Sequence, residues 1–359
     1  MHGFHSYPAR LHPLTAAGLI EGFSPRNGLV VDPFCGSGTT LVEARRLGRH
    51  ALGSDLNPLA LELSWLKTSA FGRGFAELLG ADAAAIAAFA DERRQSKAGP
   101  LRRYPRQTRE VFPVHVLLEL DGLMHGIRAV EDHDRRRALT LVLSSLLTKV
   151  STQKSDSSTQ RTERRLRSGF AIQLFEDKTR ELCRRLERYR RLLPDPNYTP
   201  NLKRADARRL SMIESGRVDL VVSSPPYPGV FDYLEHHRLR LAFLNLDAEQ
   251  LHRNEIGARR NYARLRFDDA VARWHAELTP CLAEIARILR PGGHAALVLA
   301  DTAVGGKALR ADRLLAEWVT KTPLRFELCA SQARPSFHRP SDRVFRANKR
   351  AEHLLLLQK

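Results

Sequence analysis

A short apolar segment, Gly28–Asp32, is followed by a turn of small residues and then by an amphipathic segment, Leu41–Leu47. The change from a continuous apolar run to helical spacing predicts a strand, a glycine turn and a helix. A second apolar stretch, His50–Gly53, is followed by Asp55, and Pro58 can occupy the first turn of another helix. This alternation predicts an α/β fold.

Apolar runs typical of strands return only in the second half of the chain. They are Leu202–Ala205, Val218–Ser223, His294–Ala300, Leu324–Ala330 and His353–Gln358. The connection between the last two is too polar for a crossover helix, so we expect the last strand to be antiparallel. The sequence therefore predicts a doubly wound, seven-stranded, mostly parallel sheet.

Between these two groups of strands the chain shows helical spacing. It recurs in Val114–Val130, Ala138–Val150 and Gln173–Leu193, while the polar segment 151–160 is typical of a loop. A chain of 359 residues is long enough for about two structural units. We therefore expect residues 1–65 and 198–359 to form the core and residues 66–197 a large helical insertion.

The chain is strongly basic, with 58 Lys and Arg against 40 Asp and Glu. The excess is concentrated: Arg135–Arg191 holds 16 basic and 6 acidic residues, and Arg334–Arg350 holds 6 and 1. Solvated helix faces would explain either stretch alone. Two stretches of one sign favour a polyanionic partner, with the insertion as the candidate recognition region.

Several classes of protein are disfavoured. No apolar run approaches the roughly 20 residues of a membrane span, and the N-terminus lacks the pattern of a secretory signal, so we expect a cytoplasmic protein without a membrane partner. The four cysteines form no Cys-x-x-Cys pair, and the neighbours His236 and His237 do not share a helix face. We therefore expect no metal site.

The turn Asp32-Pro-Phe-Cys-Gly-Ser-Gly-Thr-Thr40 is a candidate ligand site, because ligands of doubly wound sheets bind at the carboxyl ends of strands. Gly36 and Gly38 allow the backbone to approach a ligand closely. A dinucleotide site is disfavoured, since Leu41 stands where the third glycine of that fingerprint belongs. Asp55 can accept hydrogen bonds from a ribose diol, and tight packing is the structural alternative for the glycines.

A second candidate site is Ser224-Pro225-Pro226-Tyr227, directly after the predicted strand Val218–Ser223. The two prolines remove two backbone donors and leave carbonyl oxygens that only accept hydrogen bonds. A tyrosine beside such acceptors can stack on a base whose amino group points at Ser224 and the Pro225 carbonyl. Taken alone, the segment is also compatible with a proline-rich turn.

Together the two motifs resemble those of the amino-group DNA methyltransferases, which modify cytosine N4 or adenine N6 and use S-adenosylmethionine. The resemblance includes Asp55, Asp206 and the N-terminal segment 5–13 but not the insertion. It implies that the turn holds the methionine end of the cofactor, Asp55 the ribose hydroxyls and Asp206 the adenine amino group. The turn residues concerned are Asp32, Pro33, Phe34, Cys35, Gly36, Ser37 and Gly38.

The resemblance further implies that Ser224, Pro225, Pro226 and Tyr227 form the catalytic loop and that double-stranded DNA is the substrate. Ser at the first loop position favours cytosine N4 over adenine N6. An RNA amino-methyltransferase could use the same motifs, and the resemblance leaves open whether a cognate restriction endonuclease accompanies the enzyme. Cytosine C5 chemistry would need a nucleophilic cysteine, and the one Pro-Cys pair, Pro280-Cys281, lies within a helical pattern.

Two alternative functions each leave a motif unexplained. A nicotinamide dehydrogenase has no use for Ser-Pro-Pro-Tyr, and a DNA-binding protein without catalysis has no use for the paired motifs. Binding of S-adenosylmethionine separates the last reading from a methyltransferase.

Overall fold

The computed structural model describes residues 1–156, 160–162, 164–195, 201–334 and 343–359. Outside them lie the predicted boundary at 197–198, part of the predicted loop 151–160 and part of the basic stretch 334–350. The chain divides into two compact units. An α/β unit comprises Tyr7–Thr68, Thr199–Leu234 and Ala248–Lys359, and a helical unit comprises Met1–Ser6, Ser69–Tyr198 and Glu235–Asp247.

The α/β unit contains nine strands among the described residues. They are β1 (Leu29–Asp32), β2 (His50–Asp55), β3 (Asn201–Arg204), β4 (Val218–Ser223), β5 (Leu289–Ala300), β6 (Thr302–Val304), β7 (Lys307–Leu309), β8 (Arg325–Ala333) and β9 (Ala351–Gln358). Seven of them form one sheet in the order β3-β2-β1-β4-β5-β9-β8, and β6 pairs with β7 in a separate hairpin.

The sheet is parallel except for β9, which runs antiparallel to both β5 and β8. This confirms the predicted doubly wound, seven-stranded sheet with a reversed last strand. The strand order changes direction between β1 and β4. That switch point is where an open α/β sheet leaves a crevice at the carboxyl ends of its strands.

The helices of the α/β unit cover the sheet. They are α1 (Pro13–Phe23), α2 (Thr39–Arg46), α3 (Pro58–Thr68), α10 (Glu249–Asn254), α11 (Arg259–Tyr262), α12 (Phe267–Ile288) and α13 (Ala311–Val319). Successive strand residues belong to different hydrophobic clusters: Val31 packs with α12 and α13, whereas Val30 packs with α1 and α2. The strands β1, β4, β5 and β9 are therefore buried on both faces, which is why they are continuous apolar runs in the sequence, whereas the edge strands β3 and β8 are largely exposed.

Two glycine-containing segments shape this sheet. The segment Arg290–Gly293 lies inside β5, where the register with β4 shifts. In a dinucleotide-binding turn a third glycine, at the position of Leu41, allows the helix to pack closely on the strand. Here Gly53 on β2 allows that close packing instead. A Cβ there would lie 2.5 Å from Leu41 Cδ1 and 3.0 Å from Cys35 Cβ, so Leu41 packs directly over the strand.

The helical unit contains six helices among the described residues. They are α4 (Phe75–Gln95), α5 (Arg106–Val111), α6 (Val114–Ala129), α7 (His133–Val150), α8 (Phe170–Leu192) and residues 235–244 of α9 (Tyr233–Leu244). α4 and α6 approach closely at Gly122 and Gly126, where added Cβ atoms would meet Ala90 and Ile86 at 3.0–3.2 Å. The unit includes residues 1–6 and 235–247, which the sequence-based division leaves with the core.

Buried polar groups hold the predicted loop of this unit. Arg240 is 1 % exposed and forms a hydrogen-bonded ion pair with Asp156. Its guanidinium also donates to Thr148 Oγ1 at 2.9 Å and to the Ser144 carbonyl at 3.2 Å. Arg240 on α9 thus holds Asp156, in the middle of segment 151–160. None of the described helices is long and apolar enough to cross a bilayer.

Candidate active site

The glycine turn joins β1 to α2 and is built around two left-handed residues. Gly36 has φ +48° and Gly38 has φ +81°, a region that side chains disfavour. A Cβ at Gly38 would lie 2.8 Å from Ser64 Oγ on α3. The backbone conformation therefore requires both glycines, and Gly38 brings the turn into contact with α3.

Asp32 ends β1 and ties the turn to the neighbouring strand. Its carboxylate accepts hydrogen bonds from Ser223 Oγ at 2.6 Å and from the Phe34 N–H at 3.1 Å. Burial raises its pKa to about 6, and these hydrogen bonds oppose the shift. The last residue of β4 therefore holds the carboxylate from which the turn begins.

Asp55 ends β2 and supports the same turn from its other side. Its carboxylate accepts from the Gly36 N–H at 2.9 Å and from the Asn57 N–H at 2.8 Å. Burial raises its pKa to about 6. A carboxylate in this position can accept further hydrogen bonds at its remaining lone pairs, as a ribose diol would require.

Asp206 follows β3 and is engaged by a neighbouring cation. Its carboxylate accepts from the Arg208 N–H and Nε, both at 2.9 Å, and from Arg208 Nη2 at 2.5 Å. The carboxyl group stays partly accessible, with 25 % of the side chain exposed. A ligand amino group at Asp206 would therefore share the carboxylate with Arg208.

The Ser-Pro-Pro-Tyr segment follows β4 and turns its tyrosine inward. Tyr227 packs against the core beneath the sheet, and burial raises its pKa to about 12. Its hydroxyl lies 3.1 Å from Ser224 Oγ and donates to the Val298 carbonyl at 3.5 Å. If Tyr227 donates to Val298, Ser224 donates to Tyr227, and the lone pairs of Ser224 are left for an incoming donor.

These segments enclose one pocket with about 830 Å³ of empty space, part of it open to solvent. Ten predicted site residues line it: Asp32, Pro33, Phe34, Cys35, Gly36, Ser37, Asp55, Asp206, Ser224 and Pro226. Gly38, Pro225 and Tyr227 adjoin this lining in sequence without contributing to it.

Other parts of the pocket wall carry no motif. Tyr7 and Arg10 belong to the N-terminal segment, and Asn57 follows β2. The chain beyond the Ser-Pro-Pro-Tyr segment contributes Tyr233, Leu251, Asn254, Glu255 and Ile256. The rings of Tyr7 and Tyr233 stack with centroids 6.0 Å apart. Of these, the segment 5–13 was expected from the resemblance, whereas Tyr233 and the segment 251–256 gave no local signal.

Ser37 provides a direct test of whether the pocket fits a polar cofactor. Its side chain is 2 % exposed, and its Oγ has no hydrogen-bond partner among the described residues. Leaving such a hydroxyl unsatisfied costs free energy, and a ligand with polar groups at this position removes that cost. The carboxylates of Asp55 and Asp206, the Ser37 hydroxyl and the rings of Tyr7 and Tyr233 together fit a nucleoside joined to a charged amino-acid end.

Two further groups with potential chemistry do not line this pocket. Cys281 is buried in α12 within the core, and burial raises its thiol pKa. Asp301, Asp312 and His353 place potential ligand atoms within 4.8 Å of one another. Arg310 donates to Asp301 at 2.6 Å, and His353 Nε2 lies 3.1 Å from the same carboxylate. Asp301 therefore joins Arg310, at the start of α13, and His353, on β9, by hydrogen bonds within the protein.

The strand order and the pocket define a doubly wound α/β protein with a candidate ligand pocket at its switch point. Residues 3–65 match the family model described as "DNA methylase". Over 71 residues the chain is 41% identical to the Type II methyltransferase M.MvaI of Kocuria varians, covering 19% of this chain and 16% of that one. Over 279 residues it is 24% identical to M.BsoBI of Geobacillus stearothermophilus, covering 70% and 54%.

These matches confirm the resemblance to the amino-group DNA methyltransferases, and with it S-adenosylmethionine as the cofactor that such proteins use. The chain spans about half or less of the length of these two relatives. Among solved structures, TrmN from Thermus thermophilus aligns with 98% of this chain and 50% of its own length at 14% identity and a TM-score of 0.37. A likeness at this level carries no functional argument.

Substitution of Ser223 by Ala tests the link between the two loops, and its cost should depend on pH. The folded pKa of Asp32 is about 6, above the unfolded value of roughly 4, so its contribution to stability declines as pH rises between these values. Without the hydroxyl the folded pKa is higher, and the decline continues above pH 6. We expect urea denaturation to show a loss of about 2–3 kcal/mol at pH 8 and about 1 kcal/mol at pH 5.

Ser24→Ala is the matched control. Ser24 Oγ donates to the Ile20 carbonyl at 2.6 Å, an acceptor that does not titrate. Its loss should cost the same at both pH values. Equal losses at pH 5 and pH 8 for Ser223→Ala would contradict the role given to Asp32.

Proposed function

We propose that the chain is a DNA methyltransferase that transfers a methyl group from S-adenosylmethionine to the exocyclic amino group of a flipped base, with cytosine N4 preferred and adenine N6 second. One observation carries the proposal. The glycine turn and the Ser-Pro-Pro-Tyr segment flank the same switch point, are joined by the Ser223–Asp32 hydrogen bond, and line one pocket.

In this proposal the chain's own residues hold the cofactor along the pocket. The glycine turn takes the methionine end, Asp55 accepts from the ribose hydroxyls, and Asp206 accepts from the adenine amino group. The unpartnered hydroxyl of Ser37 supports the first of these placements. When bound, S-adenosylmethionine supplies an electrophilic methyl group.

Ser224 and the Pro225 carbonyl would position the substrate amine. The lone pair of an exocyclic amine is delocalised into its ring, so the amine needs its hydrogens held by acceptors before it reacts. When Tyr227 donates to Val298 and Ser224 donates to Tyr227, the lone pairs of Ser224 are available, and Pro225 contributes a carbonyl with no competing N–H on that residue. Catalysis then consists of orientation and electrostatic stabilisation, without a covalent intermediate.

The base must leave the duplex to reach Ser224. The sequence suggests Tyr227 as the ring that stacks on it, but Tyr227 is packed on the core with its hydroxyl bonded to Ser224. In this conformation Tyr227 orients Ser224. Its stacking on a base would require the ring to leave that position.

The preference for cytosine N4 rests on the serine at the first loop position, since aspartate or asparagine is commoner there in enzymes that modify adenine N6. The matched family model is described as "DNA methylase" and the two relatives named above as Type II methyltransferases, which supports DNA over RNA. A cognate endonuclease belongs to the same proposal.

The helical unit offers a surface for the DNA backbone. Arg184, Arg188 and Arg191 are exposed at intervals of four and three residues on α8, and therefore share one face of the helix. None of the three forms a salt bridge with the described residues of the chain. A solvated helix face usually pairs its arginines with acidic residues, whereas a row of arginines without salt bridges is typical of a surface that binds phosphates.

Ser224→Ala tests the catalytic assignment. Removing the acceptor should lower turnover by about 10²-fold or more, because that hydrogen bond matters most as the amine reacts. Affinity for S-adenosylmethionine by calorimetry should change by no more than about twofold. The assay is transfer of a labelled methyl group to duplex DNA and to RNA, followed by nucleoside analysis, and N4-methylcytosine in DNA is the expected product.

Ser96→Ala is the control, since Ser96 is exposed at the end of α4 and its hydroxyl donates to the Arg93 carbonyl. Wild-type turnover by Ser224→Ala would refute the catalytic role. Label found in RNA alone would leave the chemistry intact and overturn the substrate assignment.

Replacing Arg184, Arg188 and Arg191 together by Ala tests the DNA surface. Each lost phosphate contact should reduce the slope of log affinity against log salt by about 0.9. The triple variant should therefore bind duplex DNA with a slope lower by about 2.7, measured by fluorescence anisotropy at several salt concentrations. The control replaces Arg253, Arg273 and Arg325, exposed arginines of the α/β unit, and an equal change in slope for both triples would argue against the α8 surface.

A further inference from the structure

The wall of the pocket at the switch point is acidic, although the chain as a whole carries a net charge of +18. Four acidic residues and one basic residue line it: Asp32, Asp55, Asp206, Glu255 and Arg10. Asp206 and Glu255 are each paired with an arginine that does not line the pocket. Asp32 and Asp55 are therefore the carboxylates whose charge must be compensated in another way.

Asp32 and Asp55 accept hydrogen bonds from neutral donors, which are the Ser223 hydroxyl and backbone N–H groups. Neither carboxylate forms a salt bridge with a described residue of the chain, and the charge of Asp32 adds to burial in raising the pKa of Asp55. Two neighbouring carboxylates removed from water are costly unless a cation compensates them. A ligand group with positive charge next to Asp55 would supply that compensation.

Two tyrosine rings lie beside Asp55 in the pocket wall. Tyr7 packs on the glycine turn, where a Cβ at Gly36 would meet Tyr7 Cε1 at 3.1 Å. Tyr233 stacks on Tyr7, and its backbone N–H donates to Glu255 Oε1 at 2.5 Å. Burial raises the pKa of both tyrosines and the charge of Asp55 adds to the shift, which shows that this carboxylate is close to both side chains.

The two rings leave part of their faces uncovered by each other. Their planes are inclined by 24° and their centroids are 6.0 Å apart, whereas superposed rings in contact are separated by roughly 3.5–4 Å. No Lys or Arg of the described chain lies over the Tyr233 ring. The face of an aromatic ring is the negative part of its quadrupole and attracts cations. The rings and Asp55 thus favour the same kind of ligand group, a cation.

We propose that Tyr7, Tyr233 and Asp55 form a subsite for the sulfonium group of S-adenosylmethionine, so that the pocket prefers the charged methyl donor to its neutral sulfide product. This inference rests on the proposed function. The sulfonium joins the ribose to the amino-acid end, and the rings lie beside the groups assigned to these two parts, since Tyr7 contacts the glycine turn and Tyr233 is close to Asp55. When the methyl group is transferred, the electron pair of its bond stays on sulfur and the positive charge is lost. The subsite then favours release of the product.

The test compares three ligands that share the adenosine and the amino-acid end. S-adenosylmethionine has a sulfonium, sinefungin has a carbon that bears an ammonium group in its place, and S-adenosylhomocysteine has a neutral sulfur. Calorimetric titration at pH 8, where Asp32 and Asp55 with pKa values of about 6 are ionised, gives the three affinities. We expect the wild-type protein to bind the two cations at least about fivefold more tightly than S-adenosylhomocysteine.

Tyr233→Leu removes one of the two rings. It should reduce the preference for the cations by about threefold or more and change the affinity for S-adenosylhomocysteine by no more than about twofold. Tyr233→Phe is the matched control, since it keeps the ring and should keep the preference.

An equal loss for all three ligands in Tyr233→Leu would show a purely structural role and overturn the inference. A loss of preference in Tyr233→Phe would also overturn it, because the hydroxyl and not the ring would then be responsible. If Tyr233→Leu does not fold, the wild-type protein decides, since binding of S-adenosylhomocysteine as tight as that of both cations overturns the inference. Failure of the wild-type protein to bind any of the three ligands would overturn the proposed function, and this inference with it.

Discussion

The hydrogen bond between Ser223 and Asp32 is the interaction on which the site depends. It joins the ends of two central strands that are distant in sequence, at a place where both groups are buried. A buried carboxylate needs such a donor, and its position sets where the turn after β1 begins. The loop after β4 begins at Ser224, the residue after Ser223, so the same hydrogen bond fixes where both loops begin.

The turn is supported from β2 and from α3. Asp55 holds the Gly36 N–H, while Ser64 and Lys67 on α3 hold the carbonyls of Gly36 and Ser37. Most of these partners are charged or buried, so each hydrogen bond is worth more than its counterpart at the surface. The turn is thereby rigid before a ligand arrives, which reduces the cost of ordering it on binding.

The strands and both motifs could be predicted because their signals are local. Parallel strands buried on two faces are continuous apolar runs, and the loops at their ends carry glycine, proline and acids in fixed order. The pocket wall at Tyr233 and residues 251–256 could not be predicted, since only tertiary packing brings it there. α4 was missed because alanine gives a weak amphipathic pattern, and Lys67 reads in sequence as an ordinary surface residue of a helix.

Hydrogen exchange with and without saturating S-adenosylmethionine tests most directly whether the two loops form one site. Peptides that cover the turn 33–40, the segment 54–57 and the segment 227–233 should all exchange more slowly in its presence, to an extent that follows occupancy. Slower exchange at the turn alone, with residues 227–233 unchanged at saturation, would contradict a single site shared by the glycine turn and the Ser-Pro-Pro-Tyr loop.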